Sequence, residues 1–150
     1  MNDPVRASYL VSGVPREKIF SALLDVQRFT EWSHGLRQLR LLHGATEMSP
    51  GVGMEFVLSA AGLTHSVESV VTVVETPHRI EWRYTSGAVG SGGWTLEEAG
   101  PDTVRMTLYT DYEVEPAWLN RISHKPFFRR IAEDLLRRSM RRFVQRLKEP

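Results

Sequence analysis

The sequence predicts an α+β domain: seven strands in an antiparallel sheet, two short helices after the first strand, and a long C-terminal helix against the sheet. Three observations predict it. Apolar and polar residues alternate with a period of two for about eighty residues after Gly35. A helical three-and-four spacing follows Pro15, and the only long helical pattern left lies after Pro116. The 150 residues fit a single domain, 1–150, and 41% hydrophobic with 25% charged residues is an ordinary globular composition. Zero cysteines exclude disulfides, thiolate metal sites and cysteine nucleophiles. No apolar run approaches the ~18 residues of a membrane span. The start, Met-Asn-Asp-Pro, lacks the basic and apolar stretches of a signal peptide, so a cytoplasmic location is expected.

Val5 to Gly13 reads as the first strand, with Val5, Ala7, Tyr9 and Val11 on one face and Gly13-Val14-Pro15 breaking it. A helix then starts at Pro15, with Glu17 in its first turn and Ile19, Phe20, Leu23 and Leu24 on its apolar side. A second short helical piece runs from Val26 to Trp32 and ends at Ser33-His34-Gly35. The later strands fall near 36–43, 52–61, 64–75, 79–85, 90–97 and 103–114, separated by Ser49-Pro50-Gly51, Ala61-Gly62, Thr76-Pro77-His78, Ser86-Gly87 and Gly100-Pro101-Asp102. Turns this short make neighbours pair antiparallel. Ile80, Trp82 and Tyr84 alternate with Arg79, Glu81 and Arg83, which predicts one covered and one wet face. Gly90-Ser91-Gly92-Gly93 has no helix behind it to cradle a phosphate and reads as a flexible hairpin, a candidate lid.

The cover is the last segment: a piece near 117–124, then a helix over 126–148. With Phe128 at zero on a helical wheel, Ile131, Ala132, Leu135, Leu136, Ser139 and Phe143 fall within about 80 degrees. Arg130, Arg137, Arg141 and Lys148 oppose them. Charge is divided unevenly, since residues 1–116 carry 9 Lys+Arg and 15 Asp+Glu while residues 117–150 carry 10 and 3. A basic block of this kind suits nucleic acid or anionic lipid. It also suits a solvated helix face complementing an acidic body. Phe127, Phe128 and Phe143 are assigned to the core, which leaves no exposed aromatics for base stacking, and no nucleic-acid partner is expected.

The order of elements, together with Val14-Pro15-Arg16-Glu17-Lys18-Ile19-Phe20, Asp25 through Trp32, Val52-Gly53-Met54, Pro77-His78-Arg79-Ile80, Trp94-Thr95-Leu96 and the basic closing helix, resembles the helix-grip fold of the START-like (SRPBCC) superfamily. Within it the chain is most similar to the polyketide cyclase/dehydrase and lipid-transfer group. At Trp32-Ser33-His34 it departs from the pattern, where a proline often follows the tryptophan. The resemblance implies a curved sheet gripping the last helix over an internal cavity that opens near the short-helix end. Members bind lipids or isoprenoid quinones, or act as cyclase/aromatases. The inward strand positions that would line such a cavity are Met54, Phe56 and Leu58; His65, Val67 and Ser69; Trp82 and Tyr84; Trp94 and Leu96; Met106, Leu108, Thr110 and Tyr112; with Phe128, Ile131 and Leu135 from the helix. Such walls fit a small apolar or aromatic molecule.

His65, which alternation puts on the same face as Val67, Val71 and Val73, could exchange a proton with a ligand hydroxyl or enol, or could be a hydrogen-bonded histidine beside the Gly62 turn. Tyr84 and Tyr112 could donate to a ligand carbonyl or bond backbone at the rim. Trp32, Trp82 and Trp94 could stack on a flat ligand or simply pack, and His34 lies in the loop expected at the mouth. The five histidines show no two-His helical spacing with a carboxylate, so no metal and no cofactor are expected. Ser33 lacks the setting of a nucleophile elbow. Three readings stay open. The first is a binder of a small apolar or aromatic ligand, and the second a cyclase/aromatase or dehydratase-type enzyme whose catalytic residues are His65, Tyr84 and Tyr112. The third is an interaction module using the basic helix.

Overall fold

Alternation and turn chemistry produce seven strands in the order β1-β7-β6-β5-β4-β3-β2, so every pair is a sequence neighbour except β1 with β7. The computed structural model describes residues 4–33, 36–60, 62–114 and 117–149. The strands are β1 (Val5–Ser12), β2 (Leu36–Leu41), β3 (Gly53–Ala60), β4 (Leu63–Glu75), β5 (Arg79–Ser86), β6 (Ala88–Glu98) and β7 (Thr103–Val114), all antiparallel. The helices are α1 (Arg16–Leu24), α2 (Phe29–Trp32, entered through a 3-10 turn at Val26–Arg28), α3 (Ala117–Ser123) and α4 (Pro126–Lys148). The sheet curls into a half-barrel, and the arrangement is the helix-grip α+β fold.

Bulges between Glu68 and Ser69 and between Val71 and Val73 help bend it, as does a third in the β2–β3 ladder near Leu36–Gln38. The second corrects one face assignment. Val73 comes opposite the outward Glu81, and Val74, opposite Ile80, packs on the core instead. An extra residue in a ladder reverses every side chain beyond it, and periodicity alone does not reveal where one sits.

The Pro15 carbonyl accepts the backbone N–H groups of Lys18 and Ile19 and so caps α1, which buries Ile19, Phe20 and Leu23 at one end of the concave face. Each of the three contributes roughly 1.5–3 kcal/mol relative to exposure. α4 lies along β1 and touches α2 and α3. Lys18 Nζ donates to the Leu147 carbonyl at 3.1 Å at one end of α4, and Arg129 Nη2 donates to the Pro4 carbonyl at 3.2 Å near the other. Only Ser139, Met140, Phe143 and Val144 of α4 are buried. Ser139 is tolerated there because its hydroxyl donates to the Leu135 carbonyl at 2.7 Å.

Two expectations for this region are corrected. Met140 and Val144, outside the wheel's apolar arc, are buried, because the buried face of the second half is turned by about a quarter turn relative to that of the first. Phe127 is not in the core: it is 67% exposed and meets the half-buried Phe128 edge-on, with ring centroids 5.8 Å apart. The stripe Arg130, Arg137, Arg141 and Lys148 is exposed as expected.

The glycine run is a further correction. Gly90 to Gly93 lie inside β6, all paired to β7 and Ser91 to Gly93 also to β5, and neither a hairpin nor a lid forms there. Close approach is the reason for these glycines. A Cβ at Gly92 would sit 2.8 Å from Trp82 Nε1 and 2.9 Å from the Tyr84 hydroxyl on the concave face. One at Gly93 would sit 2.5 Å from the Ile80 carbonyl oxygen and 2.9 Å from the Tyr109 hydroxyl on the other. Gly93→Ala therefore presses on a backbone atom that cannot swing away. It should cost about 1–3 kcal/mol in urea unfolding, whereas Ser91→Ala, at an exposed position of the same strand, should stay within about 0.5 kcal/mol.

Candidate functional site

Burial along the concave face falls off in one direction. On β7, Val104 and Met106 are buried while Leu108, Thr110 and Tyr112 are part-exposed. On β5, Ile80 and Trp82 are buried and Tyr84 is part-exposed. On β3, Met54 is buried, Phe56 is part-exposed and Leu58 reaches 43% exposure. β4 runs from buried Val71, Ser69 and Val67 to part-exposed His65. α4 repeats the gradient, with Phe128, Ile131 and Leu135 part-exposed in its first half. The pairings Trp94–Leu108, Gly92–Thr110, Ser69–Tyr84 and Leu58–His65 align these gradients, so all of them open toward the end where α3 lies. Trp94, Leu96 and Met106, expected as lining, belong to the sealed end with α1.

Trp82 forms the floor of the open end. Its ring is 6.1 Å from that of Phe56 at a tilt of 54°, and its indole N–H lies beside the Tyr84 hydroxyl without a hydrogen bond of its own. The Ser69 hydroxyl, equally sealed, also has no protein partner. Tyr84 reaches over Gly92 to hydrogen-bond the Thr110 hydroxyl. Burial pushes the Tyr84 phenol above its ordinary value of 10.0, with the hydrogen bond to Thr110 and the neighbouring Trp82 N–H working the other way. Tyr84 is therefore a neutral donor or acceptor at physiological pH.

His65 is held by structure. Its Nε2–H donates to the Gly87 carbonyl at 2.6 Å. Gly87, at φ +82°, presses so close to β4 that a Cβ would meet the Ser66 carbonyl oxygen at 2.3 Å, which is how a turn residue comes to face this ring. The bond leaves Nδ1 as the acceptor of the neutral ring. Tyr112 is likewise engaged: its hydroxyl donates to the Ser123 carbonyl at 3.1 Å, and its ring stacks on His124 at 4.6 Å. Burial raises its phenol above 10.0 as well.

His124 Nε2–H returns a bond to the Tyr112 carbonyl at 3.0 Å, and Asn120 Oδ1 accepts the Val114 N–H at 3.0 Å. Tyr112, His124 and Asn120 thus fasten α3 to β7 at the rim. The spacing of Asn120 and His124, one helical turn apart, is the sequence signal for this clamp.

Trp32 closes α2, but its side chain lies outside the described residues, as does His34 altogether. Leu36, at the start of β2, pairs with Leu58 at the open end. Among the described residues no group of three or more His, Asp or Glu side chains is placed to hold a metal ion. No described helix is long and apolar enough to cross a membrane. A separate hollow of about 90 Å³, lined by Ala22, Asp25, Arg28, Glu31, Phe143, Arg146 and Leu147, shares none of the residues that line the open end.

Comparison with solved structures places this architecture among known ones. A protein from Thermus thermophilus superposes with a TM-score of 0.78 at 14% identity, covering 97% of each chain. A START superfamily protein from Mycobacterium smegmatis gives 0.72 at 14% identity, again covering 97% of each. An aromatase/cyclase from Streptomyces sp. R1128 gives 0.75 at 13% identity, covering 97% of this chain and 93% of that one. These likenesses establish the fold. No curated protein matches the sequence. The sequence does match, over residues 5–149, the family described as polyketide cyclase/dehydrase and lipid transport, and with nearly its whole length matched the chain belongs to that family.

Proposed function

We propose that this protein binds a small apolar or aromatic ligand, of the lipid, isoprenoid quinone or polyketide-like class, at the open end of the concave face. The observation that carries the reading is the aligned fall in burial across β3, β4, β5, β7 and α4. Leu108, Phe128, Ile131 and Leu135 remain part-exposed there, and a ligand that covers them gains about 25 cal/mol for each Å² of apolar surface removed from water. The Tyr84–Thr110 pair, with His65 and Tyr112, supplies a few polar groups in a largely apolar wall, the pattern of a site that orients a ligand by its polar atoms. Membership of a family that includes lipid transport agrees with this reading.

Native mass spectrometry of the protein purified from its source cells, followed by denaturing extraction, should yield a stoichiometric apolar compound. In vitro, Leu135→Trp should fill the site and weaken binding of the probe anilinonaphthalene sulfonate by about tenfold or more, a change of ~1.4 kcal/mol. Unchanged affinity in a folded Leu135→Trp protein would sink the assignment.

One observation favours an enzymatic alternative of the cyclase or dehydratase type: the part-exposed Tyr84 phenol, kept protonated by burial. His65 Nε2 and the Tyr112 hydroxyl bond backbone carbonyls, whereas Tyr84 bonds only the Thr110 hydroxyl, which a ligand oxygen can replace, so Tyr84 is the proton donor such a reaction would use. Tyr84→Phe should then lower turnover on a defined substrate by ~10²-fold or more while leaving binding intact. The same residue makes a prediction independent of substrate. The folded state holds the Tyr84 proton to higher pH than the unfolded chain does, so its contribution to stability is complete below about pH 10 and is lost as pH rises further. Urea midpoints of Tyr84→Phe should fall less steeply than those of the parent protein above about pH 10.

A further inference from the structure

The corner between α3 and α4 carries features that the pocket does not use. Trp118 is 50% exposed and Phe127 is 67% exposed, two large aromatics in water on a rim that is otherwise fastened by hydrogen bonds. Cations surround them. Arg121 lies three residues from Trp118 on α3, and Arg130 three residues from Phe127 on α4, spacings that share a helix face. Arg121 and Lys125 line one open hollow of about 370 Å³ together with Asn120, His124 and Pro126, which joins the two helix ends into one surface. Residues 117–132 contain four Arg or Lys and no Asp or Glu. Among the described residues, Arg121, Lys125 and Arg130 make no ion pair.

We propose that this corner docks the protein on an anionic lipid bilayer, with Trp118 and Phe127 inserted at the headgroup level and Arg121, Lys125 and Arg130 against lipid phosphates. Exposed aromatics beside cations are the composition of an interfacial anchor, because an indole or phenyl ring gains by leaving water while the cations meet the surface charge. Charge complementarity also orients the molecule. The first 116 residues carry 9 basic against 15 acidic side chains and are repelled by the surface that attracts the corner. The corner adjoins the open end of the concave face, since Tyr112 at that end of β7 bonds the Ser123 carbonyl and Asn120 bonds the Val114 N–H.

Vesicle flotation tests the proposal with equimolar phosphatidylglycerol and phosphatidylcholine against phosphatidylcholine alone. The full chain should float with the anionic vesicles only and release as salt is raised. Trp118→Ala with Phe127→Ala should lower partitioning by about tenfold or more. Arg121→Gln, Lys125→Gln and Arg130→Gln together should lower it on the order of 100-fold, at roughly fivefold per cation near an anionic surface. The same charge change on the distal stripe, at Arg137, Arg141 and Lys148, should stay within about threefold, as those side chains are screened from the membrane. Urea midpoints establish that each variant is folded. Leu135→Trp should leave flotation unchanged, so failure of the pocket and failure of the docking surface are read separately. The proposal is overturned by equal binding to both vesicles, by no binding at low salt, by equal loss from the two triple changes, or by binding that survives removal of both aromatics. Retention of a single-stranded RNA oligonucleotide without vesicle binding would equally overturn it and assign the corner to nucleic acid.

Discussion

The contact of Met140, Phe143 and Val144 with one end of the concave sheet sets the geometry of the rest. α4 has 23 residues and so is about 34 Å long, a nearly straight rod laid on a surface that curls and twists. A rod can follow such a surface over only part of its length. The sequence spends its buried apolar residues on the second half of the helix, where α1 adds Ile19, Phe20 and Leu23 beneath it. The first half buries no residue, and its own apolar residues Phe128, Ile131 and Leu135 are left part-exposed. The opening is a consequence of where the core was placed.

Glycine makes the other half of this geometry. At Gly92 the missing side chain lets Trp82 and Tyr84 lie down on the sheet, and at Gly93 the same absence admits Tyr109 on the opposite face. The floor of the open end therefore rises from β5 and covers β6, while Tyr84 crosses to Thr110 on β7. Gly87 works by the same device at the next turn, where its close approach to β4 hands a carbonyl to His65.

Period and turn chemistry made the strands and their antiparallel pairing legible, since Ile80, Trp82 and Tyr84 and the Gly100-Pro101-Asp102 turn are local signals that tertiary contacts reinforce. What stayed hidden depends on partners distant in sequence. The glycines of β6 carry the same letters as a turn, and only the aromatics lying across them distinguish close approach from flexibility. Val73 alternates correctly with Val71 until a bulge intervenes. The wheel of α4 assumes one straight face, whereas the arc buried in the second half, with Met140 and Val144, is turned from the part-exposed apolar arc of the first. The inward-facing residues were legible by alternation, but their commitments were not: nothing local says that His65 is bonded to Gly87 or that Tyr112 reaches Ser123.

Phe127 and Phe128 bring the two halves of the functional picture to adjacent residues. A helix turns by about 100 degrees per residue. Two aromatics in sequence at the start of α4 therefore point in different directions, Phe128 half-buried and Phe127 in solvent, in edge contact with each other. The clamp of α3 onto β7 by Tyr112, Asn120 and His124 keeps the Trp118 helix beside that pair. A ligand that leaves an apolar bilayer for an apolar pocket must cross a polar boundary, and the crossing is shortest where the surface that meets the lipid is also the lip of the pocket. With the exposed aromatics and the unpaired cations at the half of α4 that buries no residue, rather than at the buried half, the proposed docking surface and the proposed ligand site would meet that requirement with no moving part.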